Sequence, residues 1–160
     1  MAKAILSSDQ DAVISEIDIA APPARVFQSL IDPKQVMRWW TSPECPIESF
    51  VLEPRTGGRW RYDTKQSTLN VNGVTKFHCD GEVVDYDPPR AIAYTWTANW
   101  HDRPAQPILV RWELEEHEGG TRVRVTHSGL TDLPIARKDY SGGWAGLLSE
   151  LKNFLENRSK

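Results

Sequence analysis

The order of the predicted secondary-structure elements restricts the fold more than any other feature of this sequence. One strand-like segment over 12–20 alternates apolar and polar residues, and six further strand-like segments lie between residues 47 and 128. Turn sequences such as the Asp-Pro-Pro-Arg of 87–90 separate them, as is typical of antiparallel hairpins. The one long amphipathic helical pattern, over 135–157, comes last. Because an apolar sheet face must be covered, we predict an α+β fold in which a curved antiparallel sheet of about seven strands wraps around a long C-terminal helix.

Two short helices are predicted between the first and second strands. Proline is tolerated in the first turn of a helix, so Pro23 begins one of them. Asp32 followed by Pro33 provides an N-cap and a first helical residue for the other. Neither a repeat nor a linker-like tract interrupts the chain, so its 160 residues are predicted to form a single domain with a core over about 12–157.

The charge balance argues against two classes of partner. The chain has 19 basic and 22 acidic side chains and a net charge of −3, whereas nonspecific nucleic-acid binding depends on an excess of lysine and arginine. No apolar run approaches the roughly 20 residues that cross a bilayer, and the N-terminal apolar stretch is too short for a signal peptide. We therefore expect a cytoplasmic protein that binds neither nucleic acid nor membrane.

Metal and nucleophilic chemistry have little support in the sequence. Cys45 and Cys79 lack zinc-ligand spacing and are expected to be free thiols. His78 and Cys79 are adjacent on a strand and so point to opposite faces. The glycine-rich segment 141–146 resembles a phosphate cradle only loosely, and we favour the interpretation that it lets the helix approach the sheet. No metal, cofactor or catalytic residue is assigned.

Strand alternation predicts a polar outer sheet face that is rich in arginine. These arginines either pair with carboxylates such as Glu113 and Glu115 on a solvated surface, which we favour, or form a patch for an acidic partner. The predicted arginine set is Arg59, Arg61, Arg111, Arg122 and Arg124.

The same alternation places aromatic side chains together on the inner face. The chain has seven tryptophans. So many large rings do not all fit in a narrow interface between the sheet and one helix, so we predict a cavity for a small apolar or aromatic molecule. The alternative is that the rings fill the interior. The predicted ligand-binding residues are Trp40, Trp60, Tyr62, Tyr94, Trp96, Trp112, His127 and Trp144.

His127 is the one polar residue of this set, because it shares strand parity with Val123 and Val125. It is open whether its imidazole contacts a ligand, acts as an acid or base, or is a structural buried histidine. Two loops, 64–74 and 98–107, are expected to border the cavity. Trp100 in the second loop is either a lid residue or part of a homodimer interface.

Several motifs resemble a known superfamily. They are the segment 19–33 with the Trp-Trp pair at 39–40, the segment 53–62, the segment 81–90 with Tyr-Thr-Trp at 94–96, the segment 119–130, and Gly-Trp at 143–144. The chain resembles the SRPBCC (START/Bet v 1-like) superfamily and, within it, the branch named for the C-terminal domain of the activator of heat shock protein 90 ATPase. The resemblance spans about 12–157. It implies a helix-grip fold around a hydrophobic pocket, in a superfamily of lipid carriers, polyketide cyclases, hormone receptors and bacterial proteins of unknown ligand.

Three functions are therefore considered. The first is binding of a small hydrophobic or aromatic ligand between the sheet and the C-terminal helix. The second is a cyclase or dehydratase that uses the same pocket, with His127 as acid or base. The third, a chaperone cofactor or stress-response partner, rests on the family name alone.

Overall fold

The computed structural model describes residues 3–6, 11–101 and 108–156 of the chain. In chain order, the elements within these ranges are β1 (Lys3–Leu6), β2 (Val13–Ile19), α1 (Pro23–Ile31), α2 (Pro33–Trp39), β3 (Ile47–Leu52), β4 (Arg59–Thr64), β5 (His78–Asp87), β6 (Ala91–Ala98), β7 (Ile108–His117), β8 (Gly120–Ser128) and α3 (Pro134–Leu155).

The strands form one antiparallel sheet in the order β1-β2-β8-β7-β6-β5-β4-β3. The predicted α+β helix-grip fold is confirmed, with the seven predicted strands as β2 to β8. β1 was not predicted, because four residues are too few to show an alternating pattern. The sheet joins distant parts of the chain, since Val13 on β2 lies opposite His127 on β8.

The two short helices begin where proline and aspartate predict them. α1 has Pro23 in its first turn, and the Asp32 side chain accepts a hydrogen bond of 3.1 Å from the backbone amide of Lys34 at the start of α2. The indole Nε1 of Trp39 then donates to the carbonyl oxygen of Ser29 at 2.9 Å. This buried bond ties α2 to α1 across one end of the sheet.

α3 covers the inner face of the sheet with a row of buried residues. Tyr140, Trp144, Leu148 and Leu151 follow the three-and-four spacing of a helix face, and all four are buried. The predicted end of this helix, residue 157, lies outside the described residues. None of the helices within those residues is long and apolar enough to cross a membrane.

The outer face carries ion pairs between strands of the sheet. Arg122 Nε lies 2.9 Å from Asp18, Arg111 lies 2.9 Å from Asp85, and Arg124 pairs with Glu16. These arginines are therefore engaged with carboxylates of the same sheet. That arrangement agrees with the interpretation of a solvated face rather than a patch for an acidic partner.

Candidate functional site

The inner face of the sheet carries a continuous cluster of buried aromatic rings. The ring centroid of Trp60 lies 4.7 Å from that of Tyr94 and 5.2 Å from that of Trp96, and the Trp144 ring lies 5.6 Å from both Trp96 and Trp112. Offset and edge contacts at such distances stabilise an apolar layer beyond simple area burial. The rings that strand parity assigns to one face thus lie together, with Trp144 supplied by α3.

A glycine determines how deep Trp60 lies in this layer. Trp60 on β4 lies directly opposite Gly81 on β5, and a Cβ atom at Gly81 would run into the carbonyl oxygen of Thr95 on β6. Across this bare position the indole Nε1 of Trp60 donates to that same carbonyl oxygen at 2.7 Å. The Trp60 ring is therefore fixed inside the wall of the sheet.

Beside the ring cluster lies a pocket of about 440 Å³. Its walls are the loop after α2, Tyr62 and Trp96 of the sheet, the segment 69–77, Trp100 and one face of α3. Seven aromatic residues line it, namely Trp40, Tyr62, Phe77, Trp96, Trp100, Tyr140 and Trp144. The volume falls within the range of about 300 to 1,000 Å³ that small-molecule sites occupy.

The eight predicted site residues divide into two layers. Four of them line the pocket: Trp40, Tyr62, Trp96 and Trp144. The other four, Trp60, Tyr94, Trp112 and His127, are buried and do not belong to the pocket lining. Alternation along a strand tells which face a ring is on but not whether other rings cover it.

Three pocket rings were absent from the predicted set. Tyr140 lies four residues before Trp144 on α3, so helical spacing was a usable signal for it. Trp100 was predicted as a lid or an interface residue, and the structure buries it against Phe77, with a ring-centroid distance of 5.2 Å. Phe77 precedes β5 and had no periodic pattern to mark it.

The two predicted loops do border the pocket. The segment 64–74 contributes Leu69 and Val71, and Asn72 Nδ2 donates to the backbone oxygen of Trp100 at 2.9 Å. Asn99 Nδ2 likewise donates to the oxygen of Lys76 at 3.1 Å. Residues 102–107 of the second loop lie outside the described residues.

His127 is a structural partner of Trp144. The indole Nε1 of Trp144 donates to His127 Nδ1 at 3.0 Å, so the neutral imidazole carries its proton on Nε2. That Nε2 is buried without a hydrogen-bond partner among the described residues. Complete burial holds the pKa of His127 well below its usual value, and the nearby His101 adds to this effect. The ring is thus held neutral beneath the Tyr140 ring, 4.1 Å away between centroids.

A polar group of the pocket wall that is itself buried is the hydroxyl of Tyr140. Its Oη accepts a hydrogen bond of 2.9 Å from Trp96 Nε1 and lies 2.7 Å from Nε2 of His101. With one lone pair used by Trp96, the tyrosine O–H can donate to the unprotonated Nε2 of a neutral His101. Burial raises the pKa of Tyr140 well above its ordinary value, so the hydroxyl keeps its proton.

The remaining reactive groups do not form a centre. Cys45 and Cys79 are both free thiols, and burial raises the pKa of Cys79 well above its usual value. Among the residues that the structure describes, no group of histidine, cysteine and acidic side chains is arranged to hold a metal ion.

Comparison with known proteins identifies relatives by sequence family and by fold. Residues 20–156 match the family described as activator of Hsp90 ATPase homolog 1-like protein. No curated protein matches the chain. Protein Ms6760 from Mycobacterium smegmatis has 21% sequence identity and a TM-score of 0.74, covering 99% of this chain and 96% of its own.

Two further solved structures share the fold. A protein from Arthrobacter aurescens has 18% identity and a TM-score of 0.77, covering 97% of this chain and 91% of its own. DynU16, described as a protein in the dynemicin biosynthetic locus, has 19% identity and a TM-score of 0.69, covering 93% of this chain and 48% of its own. At these identities the likeness establishes the fold alone.

The depressed pKa of His127 predicts acid sensitivity. The unfolded chain takes up a proton on this histidine below about pH 6.5 while the folded chain does not, so folding stability falls as the pH drops, by up to about 1.4 kcal/mol per pH unit. His127→Asn keeps an acceptor for Trp144 but cannot titrate. We expect chemical unfolding between pH 5 and 8 to show a shallower pH dependence for this variant. His117→Asn, at the partly exposed end of β7, serves as the control, and equal slopes for wild type and His127→Asn would contradict the assignment.

Proposed function

We propose that this chain, which belongs to the family of activator of Hsp90 ATPase homolog 1-like proteins, binds a small apolar or aromatic molecule in the pocket between its curved sheet and α3. The family match agrees with the resemblance that the sequence motifs indicate. The observation that carries the proposal is the pocket itself, with seven aromatic residues around about 440 Å³ of space.

The physical argument concerns apolar surface at the pocket wall. A large ring removes about 150 to 250 Å² from water when it is fully covered, at about 25 cal/mol per Å². Tyr62, Trp96 and Trp144 are already buried by their neighbours, so they provide a wall of fixed shape. Leu69 and Leu147 at the rim remain partly exposed. An apolar guest would cover this remaining surface without first ordering the wall, which favours binding.

The pocket is open because the side chains of α3 and of the facing segment 69–77 do not fill the space between them. Trp144 and Tyr140 on α3 point into the sheet, whereas the adjacent helix face presents Gly142, Gly143 and Gly146. Space that larger side chains would fill is left between α3 and the segment 69–77. A molecule of modest size is the natural occupant of such space.

Removal of apolar surface at the rim tests the proposal. Leu69 is 46% exposed and lines the pocket, and Val51 is 55% exposed on β3, outside the pocket lining. We expect Leu69→Ser to weaken binding of the fluorescent probe phenylnaphthylamine about fivefold, because about 1 kcal/mol of apolar burial is lost. Fluorescence titration measures this.

Val51→Ser provides the matched control and should leave the dissociation constant unchanged. Equal effects of the two substitutions would place the probe elsewhere. Failure of the probe and of other apolar molecules to bind, together with the absence of any retained mass in native mass spectrometry of gently purified protein, would count against a binding function.

A second candidate is a cyclase or dehydratase that uses the same pocket. The observation that favours it is the hydrogen-bonded pair of Tyr140 and His101, which puts a proton donor on the pocket wall with an imidazole behind it. DynU16, which shares the fold, is described as a protein of a biosynthetic locus. In this candidate Tyr140 donates its proton to a substrate oxygen, and the resulting phenolate takes a proton back from His101 after that imidazole has gained one from solvent.

Tyr140→Phe separates these two functions. The ring and its packing against His127 remain, and only the hydroxyl is lost. For an identified substrate we expect turnover to fall by about 10²- to 10⁴-fold with little change in the dissociation constant. Unchanged turnover would remove the acid role, and the binding function would stand.

A chaperone partner is suggested by the description of the family alone. If the chain acts on an Hsp90 chaperone, its addition should raise the rate at which that chaperone hydrolyses ATP. A rate that does not change across a range of concentrations would speak against this role.

A further inference from the structure

We infer that the pocket, taken as the ligand site of the proposed function, selects flat aromatic molecules that are uncharged or positively charged and disfavours anions. The inference depends on two features of the pocket-facing side of α3. One is a patch of bare backbone at its centre, and the other is a carboxylate at each end.

The bare patch consists of Gly142, Gly143 and Gly146. All three line the pocket, and a Cβ atom built on any of them would meet no other atom within 4 Å. Close packing of α3 against the sheet therefore does not explain these glycines. At a rise of about 1.5 Å per residue Gly142 and Gly146 lie about 6 Å apart along the helix, and the three glycines present bare backbone to the pocket beside the Trp144 ring.

Aromatic rings form other walls of the same pocket. Trp40 and Trp96 are nearly parallel, with an interplanar angle of 18° and centroids 6.1 Å apart. Both belong to the pocket lining along with the three glycines. Planar rings and side-chain-free backbone around one space favour a planar guest, because a flat molecule can contact both kinds of surface over its whole area.

The charged residues of the pocket lining lie on the same side of α3 as the glycines. Asp139 lies three residues before Gly142 and Glu150 lies four residues after Gly146, so both share the pocket-facing side, and both line the pocket. Neither forms an ion pair with the residues that the structure describes. The pocket lining within the described ranges contains no lysine or arginine.

Both sources of charge act in the same direction. The two carboxylates repel an anion and attract a cation, and the faces of the tryptophan rings are themselves electron-rich. A fatty-acid carboxylate or a sulfonate would therefore find no described partner for its charge. A neutral or cationic ring system meets no such penalty.

Two probes with the same ring system test the charge preference. Phenylnaphthylamine is neutral, and anilinonaphthalene sulfonate adds a sulfonate to the same rings. We expect the neutral probe to bind at least about tenfold more tightly at low salt, and the ratio to shrink as salt screens the carboxylates. Asp139→Asn combined with Glu150→Gln should bring the ratio towards one. Glu82→Gln, on β5 outside the pocket, should leave the ratio unchanged.

The glycine patch is tested by adding one methyl group. Gly143→Ala and Gly146→Ala should weaken binding of the neutral probe about tenfold, the loss expected when one ring-face contact is blocked. Their thermal midpoints should stay the same or rise, because alanine favours a helix over glycine. Ser149→Ala, on the same helix but outside the pocket lining, should leave binding unchanged.

The outcomes distinguish the inference from the function on which it depends. Equal affinity for both probes, with neutral-probe binding sensitive to Leu69→Ser, overturns the charge preference and leaves ligand binding intact. Unchanged affinity in both glycine variants rejects the claim that the bare backbone contacts the ligand. The glycines would then be explained by helix bending. Binding of neither probe rejects the ligand site itself.

Discussion

The side chain of Trp144 is the contact on which the rest of the structure depends. Its ring packs against Trp40, which directly follows α2, against Trp96 from β6 and against Trp112 from β7, and its Nε1 donates to His127 on β8. One residue of α3 thereby contacts three strands and the residue that ends α2. A sheet with an apolar inner face needs a cover, and this indole fixes the position of α3, the longest helix among the described residues. The pocket occupies the space that remains on the neighbouring face of α3.

An interior rich in indole rings requires buried acceptors, since each N–H group is costly when it is unpaired. The structure supplies them from different elements for five indoles, whereas Trp100 Nε1 is buried without a partner among the described residues. Trp60 donates to the Thr95 carbonyl, and Trp112 donates to the Tyr94 hydroxyl at 2.8 Å. Trp144 requires the unprotonated nitrogen of His127. The interior thus holds His127 neutral for packing reasons, and the Tyr140 hydroxyl is a buried polar group of the pocket lining.

Sequence patterns predicted the architecture well because each element has a local signature. Alternation assigned β2 to β8, Asp32 marked the start of α2, and helical spacing marked α3. The faces of the sheet followed from the same alternation. The sequence patterns did not predict how deeply each aromatic ring is buried, because the residues that cover a ring are distant from it in the chain. Trp60 lies within the wall because Gly81 stands opposite it, and His127 is covered because Tyr140 packs on it. Neither relation has a signature within one segment.

The glycines of α3 show how local rules fail where a site is expected. Glycine inside a helix costs roughly 0.5 to 1 kcal/mol relative to alanine, and alanine would meet no atom at Gly142, Gly143 or Gly146. Neither helix propensity nor packing against the sheet favours glycine at these positions. Alanine would satisfy both helix propensity and packing at these positions, but its methyl group would narrow the pocket. A requirement for open space beside the rings accounts for all three glycines at once, and the ligand proposed above would impose that requirement.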